Sequence, residues 1–287
     1  LGGGWSLNED TTKTSEVKKN TVIIKNGSPT LGSVCGGGAL YGSVSDNLVL
    51  VEDANIVERA SFIGGAAEQG IVFNNHVEIK GDTYLQDFKI FGGQVEDGNA
   101  YGNSVSIDAA VEGFDTGAMV YGAMVQNGNV NNNIVNINNG EIYGVFGGLV
   151  EFDDGYGNAC DISQNGIIIK NAKVGIVFGG YFNEDTDMTD AAKVYENYVV
   201  VGAGSNVEKL LIAGISAADA DVINNKVILC ENSEVSGKVI AAATNDKEAE
   251  ISGNSINLLK NANVSKANLY GYAFGEDLKA VSSDKVS

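Results

Sequence analysis

The sequence predicts an all-β protein, a single right-handed parallel β-helix with three strands in each of nine to ten coils. Three observations predict this fold. A five-residue pattern that begins with Asn recurs nine times, at intervals of 27 to 32 residues. A pair of small residues follows an apolar or aromatic residue in the coils between these Asn residues. The chain has 38 Gly but a single Pro, which is typical of a β structure with many tight turns.

The first element of each coil is a strand with the pattern Asn, any residue, aliphatic, any residue, aliphatic. Period two places the two aliphatic side chains and the Asn on one face of the strand. An amide buried there must be hydrogen-bonded, and coils that stack about 4.8 Å apart would let each Asn bond to the next in a ladder. The alternative is a surface Asn repeated for turn formation. The nine residues are Asn20, Asn47, Asn75, Asn103, Asn133, Asn165, Asn197, Asn225 and Asn254.

The second element is a corner of small residues, as in Ile63-Gly64-Gly65 and Phe178-Gly179-Gly180, with Ala replacing Gly in later coils. Small residues at one level of every coil indicate a close backbone approach. A return strand then leads to the next Asn. No long stretch shows the i, i+3, i+4 apolar spacing of a helical repeat, so a parallel β-helix fits better.

The domain organisation follows from this repeat. We expect one solenoid over residues 1–287, with a partial coil at 1–19, Asn-strand coils from 20 to about 275, and a polar tail at 276–287. The sequence begins with Leu1 inside the pattern. We therefore expect an excised segment of a longer chain, with further coils and a secretion signal outside it.

The composition argues against two classes of partner. The chain carries 37 acidic and 18 basic residues, a formal net charge of −19. Nucleic acids and anionic membranes need clustered cations, which are lacking here. The sequence contains no stretch of about 18 apolar residues, so membrane insertion is not predicted.

The three cysteines, Cys35, Cys160 and Cys230, are widely spaced. We therefore expect isolated apolar side chains, neither a disulfide framework nor a zinc site.

Two neighbouring coils are longer than the others between the corner and the next Asn, and both inserts are acidic. Calcium prefers six to eight oxygen ligands, so carboxylates from the two inserts could form a calcium site if the loops fold together. The alternative is a pair of solvated loops, because no DxDxDG loop is present. No other cofactor is expected. The candidate ligands are Asp153, Asp154, Asp185 and Asp187.

Catalysis is the weaker interpretation. Paired carboxylates could act on a glycan, and some parallel β-helices are carbohydrate-active enzymes. However, His76 is the single His of the chain and Arg59 stands alone. His76 is predicted to be an outward surface residue, and no base or cation clusters with the acidic inserts. We expect no catalytic residues.

The outward positions of the Asn strands are apolar in several coils. Such a stripe indicates a contact surface for a protein partner or for copies of the chain. The alternative is that β-propensity alone selects these residues. The predicted partner face consists of Ile23, Leu48, Leu50, Ile134, Ile168, Tyr198, Val200 and Ile228.

From Asn20 to about Tyr272, the NxVxI strand, the aromatic-Gly-Gly corner and the Gly/Ala-containing return resemble the passenger repeats of bacterial autotransporter adhesins. The resemblance implies a secreted, cell-surface scaffold that is not an enzyme. It would present loops and sheet faces to proteins or glycans on cells, or to copies of itself. The alternatives are a self-assembling surface fibre and a carbohydrate-active β-helix enzyme, because one scaffold hosts several functions.

Overall fold

A computed structural model gives the fold and describes residues 2–7, 14–151, 160–183, 192–217, 220–246, 248–275 and 279–280. No described residue is helical, and so none belongs to a helix that could cross a membrane. The predicted all-β fold is confirmed: parallel strands stack into a β-solenoid of about nine turns.

The described strands number 29. In chain order they are β1 (Gly2–Ser6), β2 (Ser15–Lys18), β3 (Thr21–Gly27), β4 (Ser33–Ser45), β5 (Leu48–Ile56), β6 (Ala60–Phe73), β7 (His76–Lys80), β8 (Tyr84–Leu85), β9 (Phe88–Tyr101), β10 (Ser104–Asp108), β11 (Glu112–Gly113), β12 (Met119–Asn127), β13 (Val130–Asn131), β14 (Ile134–Ile137), β15 (Gly140–Glu151), β16 (Asp161–Ser163), β17 (Gly166–Ile169), β18 (Ala172–Asn183), β19 (Ala192–Tyr195), β20 (Tyr198–Val201), β21 (Asn206–Ser216), β22 (Ala220–Ile223), β23 (Lys226–Leu229), β24 (Glu234–Val235), β25 (Lys238–Thr244), β26 (Ile251–Ser252), β27 (Ser255–Leu258), β28 (Asn268–Phe274) and β29 (Lys279–Ala280).

The asparagine sheet contains the strands that follow the nine repeated Asn residues. They pair in parallel, each with the next coil, in the order β3-β5-β7-β10-β14-β17-β20-β23-β27. The register joins equivalent positions, so that Val49 pairs with Val77 and Val77 with Val105. These inward side chains are fully buried, because alternate residues of each strand face the interior.

The second sheet wraps around the rest of each coil and contains 19 strands. In β4, β6 and β9 the middle and return segments form one continuous strand, where the sequence predicted two. The corner between them is a glycine with positive φ, as at Gly70 (φ 138°). A Cβ at Gly70 would lie 1.9 Å from the carbonyl oxygen of Gly42, so only glycine fits at this position.

Two separate apolar clusters fill the interior. The larger cluster joins the asparagine sheet to the first half of the middle strands and includes Val49 and Phe62. The smaller cluster joins the second half of those strands to the return strands and includes Ala67 and Val72. The two clusters are separated by the repeated Asn and by the small-residue pair, which lies within the middle strand and is not a corner as the sequence predicted.

The C-terminal end departs from the parallel pattern. β29 pairs antiparallel with β28, through Ala273 with Ala280 and Phe274 with Lys279, whereas every other described strand pair is parallel. Most of the tail predicted at 276–287 lies outside the described residues. Among the described residues no disulfide is formed: Cys35 and Cys160 are buried and Cys230 is half-buried.

Candidate functional site

The nine repeated Asn side chains form one continuous ladder along the solenoid. At Asn133, the Nδ2 atom donates to Oδ1 of Asn165 at 2.9 Å, and the Oδ1 atom accepts from Nδ2 of Asn103 at 3.1 Å. The backbone N–H of Asn103 also donates to Asn133 Oδ1, at 2.9 Å. Each joint between neighbouring rungs, from Asn20 to Asn254, has the same pair of bonds.

The ladder also ties the asparagine sheet to the return strands of the preceding coils. Nδ2 of Asn165 donates to the carbonyl oxygen of Val130, which lies on a return strand, at 2.9 Å. On its other side the ladder packs on the small-residue pair. A Cβ at Gly148 would lie 2.6 Å from Nδ2 of Asn165, which explains why residues at this level are small.

A left-handed residue precedes every rung, a feature that the sequence analysis missed. Asn132 has a φ of 57° and Glu196 a φ of 56°, and glycine supplies the same conformation at Gly102 and Gly253. Asn, Asp and Gly tolerate this region best, and they occupy six of the nine positions. The Asn-Asn and Gly-Asn dipeptides before the strands were the available signal. The full column is Lys19, Asp46, Asn74, Gly102, Asn132, Gln164, Glu196, Asn224 and Gly253.

The predicted partner face is divided into two patches on the outer side of the asparagine sheet. One patch, in the first two coils, contains Ile23, which is 56% exposed, Leu48, which is half-buried, and Leu50, which is 9% exposed. Polar side chains of β7 and β10 then interrupt the stripe. The second patch covers four later coils, and all its members are half-buried: Ile134, Ile168, Tyr198, Val200 and Ile228.

His76 lies in that polar interruption. It is half-buried, and its Nδ1 atom is 2.8 Å from the hydroxyl oxygen of Ser104 on the next strand. Burial lowers the pKa of His76, and the nearby carboxylate of Glu78 opposes this shift. The side chain is therefore a neutral hydrogen-bonding partner at neutral pH, which does not require a catalytic role.

The predicted calcium ligands Asp153, Asp154, Asp185 and Asp187 lie outside the described residues. The last described residues before the two inserts are Glu151 and Asn183. These residues pair with each other, so the two inserts begin at equivalent positions of adjacent coils. Among the described residues, no three His, Cys, Asp or Glu side chains converge as a metal site.

A third apolar cluster lies on the outer side of the middle strands, and its side chains are buried or half-buried. Its central column is a stack of rings, with centroid separations of 4.7 Å for Phe91 and Tyr121, 4.9 Å for Tyr121 and Phe146, and 5.2 Å for Phe146 and Phe178. These rings lie on the opposite side of the strands from the interior clusters, because strand residues alternate between faces. We call this surface the aromatic face.

Half-buried apolar side chains flank the ring column on both sides. Met119, Ile176 and Leu210 lie on the N-terminal side along the strands, and Met124 and Tyr181 lie on the C-terminal side. The sequence did not indicate that columns of apolar side chains flank the rings. The ring column and the C-terminal column are three residues apart rather than two, because the small-residue pair lies between them. Strict alternation along a strand therefore does not predict that the two columns share a face.

Burial raises the pKa of Tyr121 to about 12, and the carboxylate of Glu151 acts in the same direction. The pKa of Tyr181 is raised for the same two reasons. Both phenols are therefore neutral at physiological pH. The chemistry of the aromatic face is that of an apolar contact surface edged by a carboxylate.

A polar groove of about 380 Å³ runs along the corner that follows the asparagine strands of four coils. The Nζ atom of Lys173 lies 3.4 Å from Oε2 of Glu141 and 4.1 Å from the ring centroid of Phe114. Lys209 lies over the ring of Tyr143 at 4.4 Å. Both cations therefore lie over aromatic rings of the protein, and Lys173 also pairs with a carboxylate.

No protein-family model matches the chain, and a search of curated proteins finds none that matches.

Proposed function

We propose that this chain is a non-catalytic scaffold of the bacterial cell surface that binds partner macromolecules through the outer faces of its sheets. The single observation that carries the proposal is the half-buried apolar patch on the outer side of the asparagine sheet, formed by Ile134, Ile168, Tyr198, Val200 and Ile228. The aromatic face and the later asparagine-sheet patch both lie within the central and later coils. Outward apolar patches of this kind are typical of protein contact sites.

The ladder supports this role by making the scaffold rigid. Every rung from Asn47 to Asn225 is at most 1% exposed and is bonded to both neighbours. Surface side chains therefore stand on a backbone that holds them at fixed positions, which reduces the entropy lost on binding. The resemblance to autotransporter passengers supports the proposed location at the cell surface.

The test is adhesion of the purified chain to cells. Fluorescent beads coated with the chain are incubated with a cultured epithelial line, and bound beads are counted. The double variant Ile168→Thr/Val200→Thr removes apolar surface from the outer side of the asparagine sheet while keeping β-branched residues. We expect beads with this variant to bind several-fold less than wild-type beads.

The matched control is Ser106→Thr, which lies in the same outward column as Ile168 and Val200 but in a coil that is already polar. Protease treatment of the cells should abolish binding if the partner is a protein, whereas glycosidase treatment should abolish binding to a glycan. Equal binding by wild-type and uncoated beads would contradict the proposed role.

A further inference from the structure

We propose that Asn139 is a site of spontaneous deamidation, at which the backbone nitrogen of Gly140 displaces ammonia from the Asn139 side chain. The inference goes beyond the proposed scaffold role and does not depend on it. It follows from the different surroundings that the fold gives to four copies of one reactive dipeptide.

The chain contains the dipeptide Asn-Gly four times. Glycine favours cyclisation, because it has no Cβ to obstruct the approach of its nitrogen to the preceding side chain. Asn is among the residues that limit the chemical lifetime of proteins. Since the dipeptide is the same in each copy, the fold decides which copies react. The copies are Asn26-Gly27, Asn127-Gly128, Asn139-Gly140 and Asn165-Gly166.

The reaction needs water and no other reactant. The nitrogen of Gly140 attacks Cγ of Asn139 and forms a new N–Cγ bond, while the bond from Cγ to Nδ2 breaks. Ammonia leaves with the proton that the Gly140 nitrogen gives up, and a cyclic imide remains. Water then opens the imide at either of its carbonyl carbons, which yields aspartate or isoaspartate.

At Asn139 the two reacting groups already face each other. The N–H of Gly140 donates to Oδ1 of Asn139 at 2.8 Å. Because a C=O bond is about 1.2 Å long, the nitrogen lies no more than about 4 Å from Cγ. The hydrogen bond also draws electron density from the side-chain carbonyl carbon, which makes it more open to attack. Proximity held by the fold replaces part of the entropy cost of reaching a reactive arrangement.

The surroundings of Asn139 admit the water that the reaction needs. The side chain is exposed, and within the described part of the chain its amide makes no hydrogen bond other than the one from Gly140. Gly140 is the first residue of β15, and its φ of 103° lies where glycine is favoured. The amide can therefore rotate towards the imide geometry without breaking contacts to another coil.

The ladder protects Asn165 from the same reaction. Both residues of this dipeptide are buried, and Nδ2 of Asn165 donates to Oδ1 of Asn197 at 3.0 Å. The N–H of Gly166 donates to the carbonyl oxygen of Asn133 at 2.8 Å. Cyclisation would have to break both bonds and leave buried polar groups unpaired.

At Asn127 both reacting groups are also occupied. The Nδ2 atom of Asn127 donates to Oδ1 of Asp97 at 3.2 Å, and the N–H of Gly128 donates to Sγ of Cys160 at 3.2 Å. The nitrogen that would attack is therefore directed at a different coil. We expect this copy to react slowly.

Asn26 serves as the exposed reference copy. Asn26 and Gly27 are both exposed, and Gly27 pairs with Ala54 in the register of β3 and β5. Among the contacts of the described residues, none joins the Gly27 nitrogen to the Asn26 side chain. Comparison of Asn26 with Asn139 therefore separates the effect of exposure from the effect of the held contact.

The products change the polar groove and leave the ladder intact. Either product adds one negative charge next to Gly140 and Glu141, which line the groove with Lys173. Isoaspartate also lengthens the main chain by one carbon directly before Gly140, which pairs with Ala172 of the next coil. The groove therefore becomes more acidic as the chain ages, while the buried rungs keep their amides.

The experiment follows the four dipeptides by peptide mass spectrometry while the purified chain is incubated at mildly alkaline pH and physiological temperature. Each deamidated peptide gains the mass difference between a hydroxyl and an amino group, and chromatography separates the aspartate and isoaspartate forms. We expect Asn139 to react several-fold faster than Asn26. We expect Asn127 and Asn165 to react at least about tenfold more slowly than Asn139.

Unfolding separates the contribution of the fold from that of the dipeptide. In guanidinium chloride at the same pH, we expect the four rates to become similar, because glycine follows Asn in every copy. Asn139→Gln should remove the reaction at this position, because Gln must form a larger ring, whereas Asn26→Gln should leave the reaction at Asn139 unchanged. Equal rates at Asn139 and Asn26 in the folded chain, or an Asn139 that reacts only after unfolding, would overturn the assignment.

Discussion

The repeated Asn is the residue on which the coil depends. Its Oδ1 accepts two hydrogen bonds from the coil before, and its Nδ2 donates to the coil after and to a return-strand carbonyl. A hydrophobic residue of similar size would leave these partners unpaired in the interior. Unpaired buried polar groups are more costly than the lost bond itself.

The first prediction compares Asn133→Val with Asn136→Val in the same strand. Asn133 is a fully buried rung, whereas Asn136 is half-buried on the outward side. We expect Asn133→Val to lower the free energy of unfolding by about 1–3 kcal/mol, because backbone and amide donors of Asn103 lose their acceptor. Asn136→Val should change it little.

The measurement is denaturant unfolding of both variants, followed by circular dichroism. Equal losses at the two positions would contradict the role of the ladder in stability.

The second prediction concerns Tyr121, whose pKa is raised to about 12 from its usual value of 10. The folded state favours the neutral phenol, so this contribution to stability is fully present below pH 10. It is lost as the pH rises towards 12, because the unfolded chain ionises first. The loss amounts to about 2 kcal/mol.

Thermal melts between pH 9 and pH 12 test this. Tyr121→Phe should show a shallower fall of the melting temperature than the wild type. Parallel curves would show that the phenol does not titrate with folding.

At the scale of the element, stacking in columns makes neighbouring coils interdependent. A ring within the aromatic column has a partner on either side, whereas Tyr101, which is 39% exposed, stacks on Phe73 at 5.1 Å in a pair on the return strands. The same side-chain type therefore has different energetic importance in the two places.

The third prediction compares Phe146→Ala with Tyr101→Ala. Phe146 is 6% exposed and contacts Tyr121, Phe178 and Tyr181. We expect its loss to cost about 3 kcal/mol, because a packed ring is removed from between two others. Tyr101→Ala should cost about 1 kcal/mol. Thermal and denaturant unfolding measure both, and a larger effect at Tyr101 would contradict the importance of the column.

At the scale of the whole molecule, stability is the sum of coils and of the interfaces between them. The ladder, the two interior clusters and the ring column all run along the solenoid, so neighbouring coils stabilise one another. The two acidic inserts begin at equivalent positions of adjacent coils, after Glu151 and Asn183.

The fourth prediction concerns calcium. Because the inserts lack a calcium-loop pattern, we expect the melting temperature to be equal in excess calcium and in EDTA. A rise with calcium that magnesium does not reproduce would instead favour Asp153, Asp154, Asp185 and Asp187 as ligands. The variant Asp153→Asn/Asp185→Asn should then remove the rise.

The sequence by itself determined the solenoid, because one pattern recurs at a nearly constant interval. A strand of Asn-x-Val-x-Ile has a defined inner face, and repetition places equivalent residues in register. The side on which Val49 and Val51 are buried could therefore be read from the alternation alone. The small residues at Gly64 and Gly65 likewise indicated a close approach, without identifying Asn75 as the neighbour.

Only the tertiary structure decided which outer surfaces are continuous. The outward apolar positions of the asparagine strands fall into two patches, because β7 and β10 place polar residues between them. The aromatic face depends on the small-residue pair between Tyr121 and Met124. This pair spaces the two residues three positions apart, yet both side chains lie on the outer side. Local periodicity describes one strand at a time, whereas a surface depends on how neighbouring strands are aligned, and that alignment is set by packing across the whole solenoid.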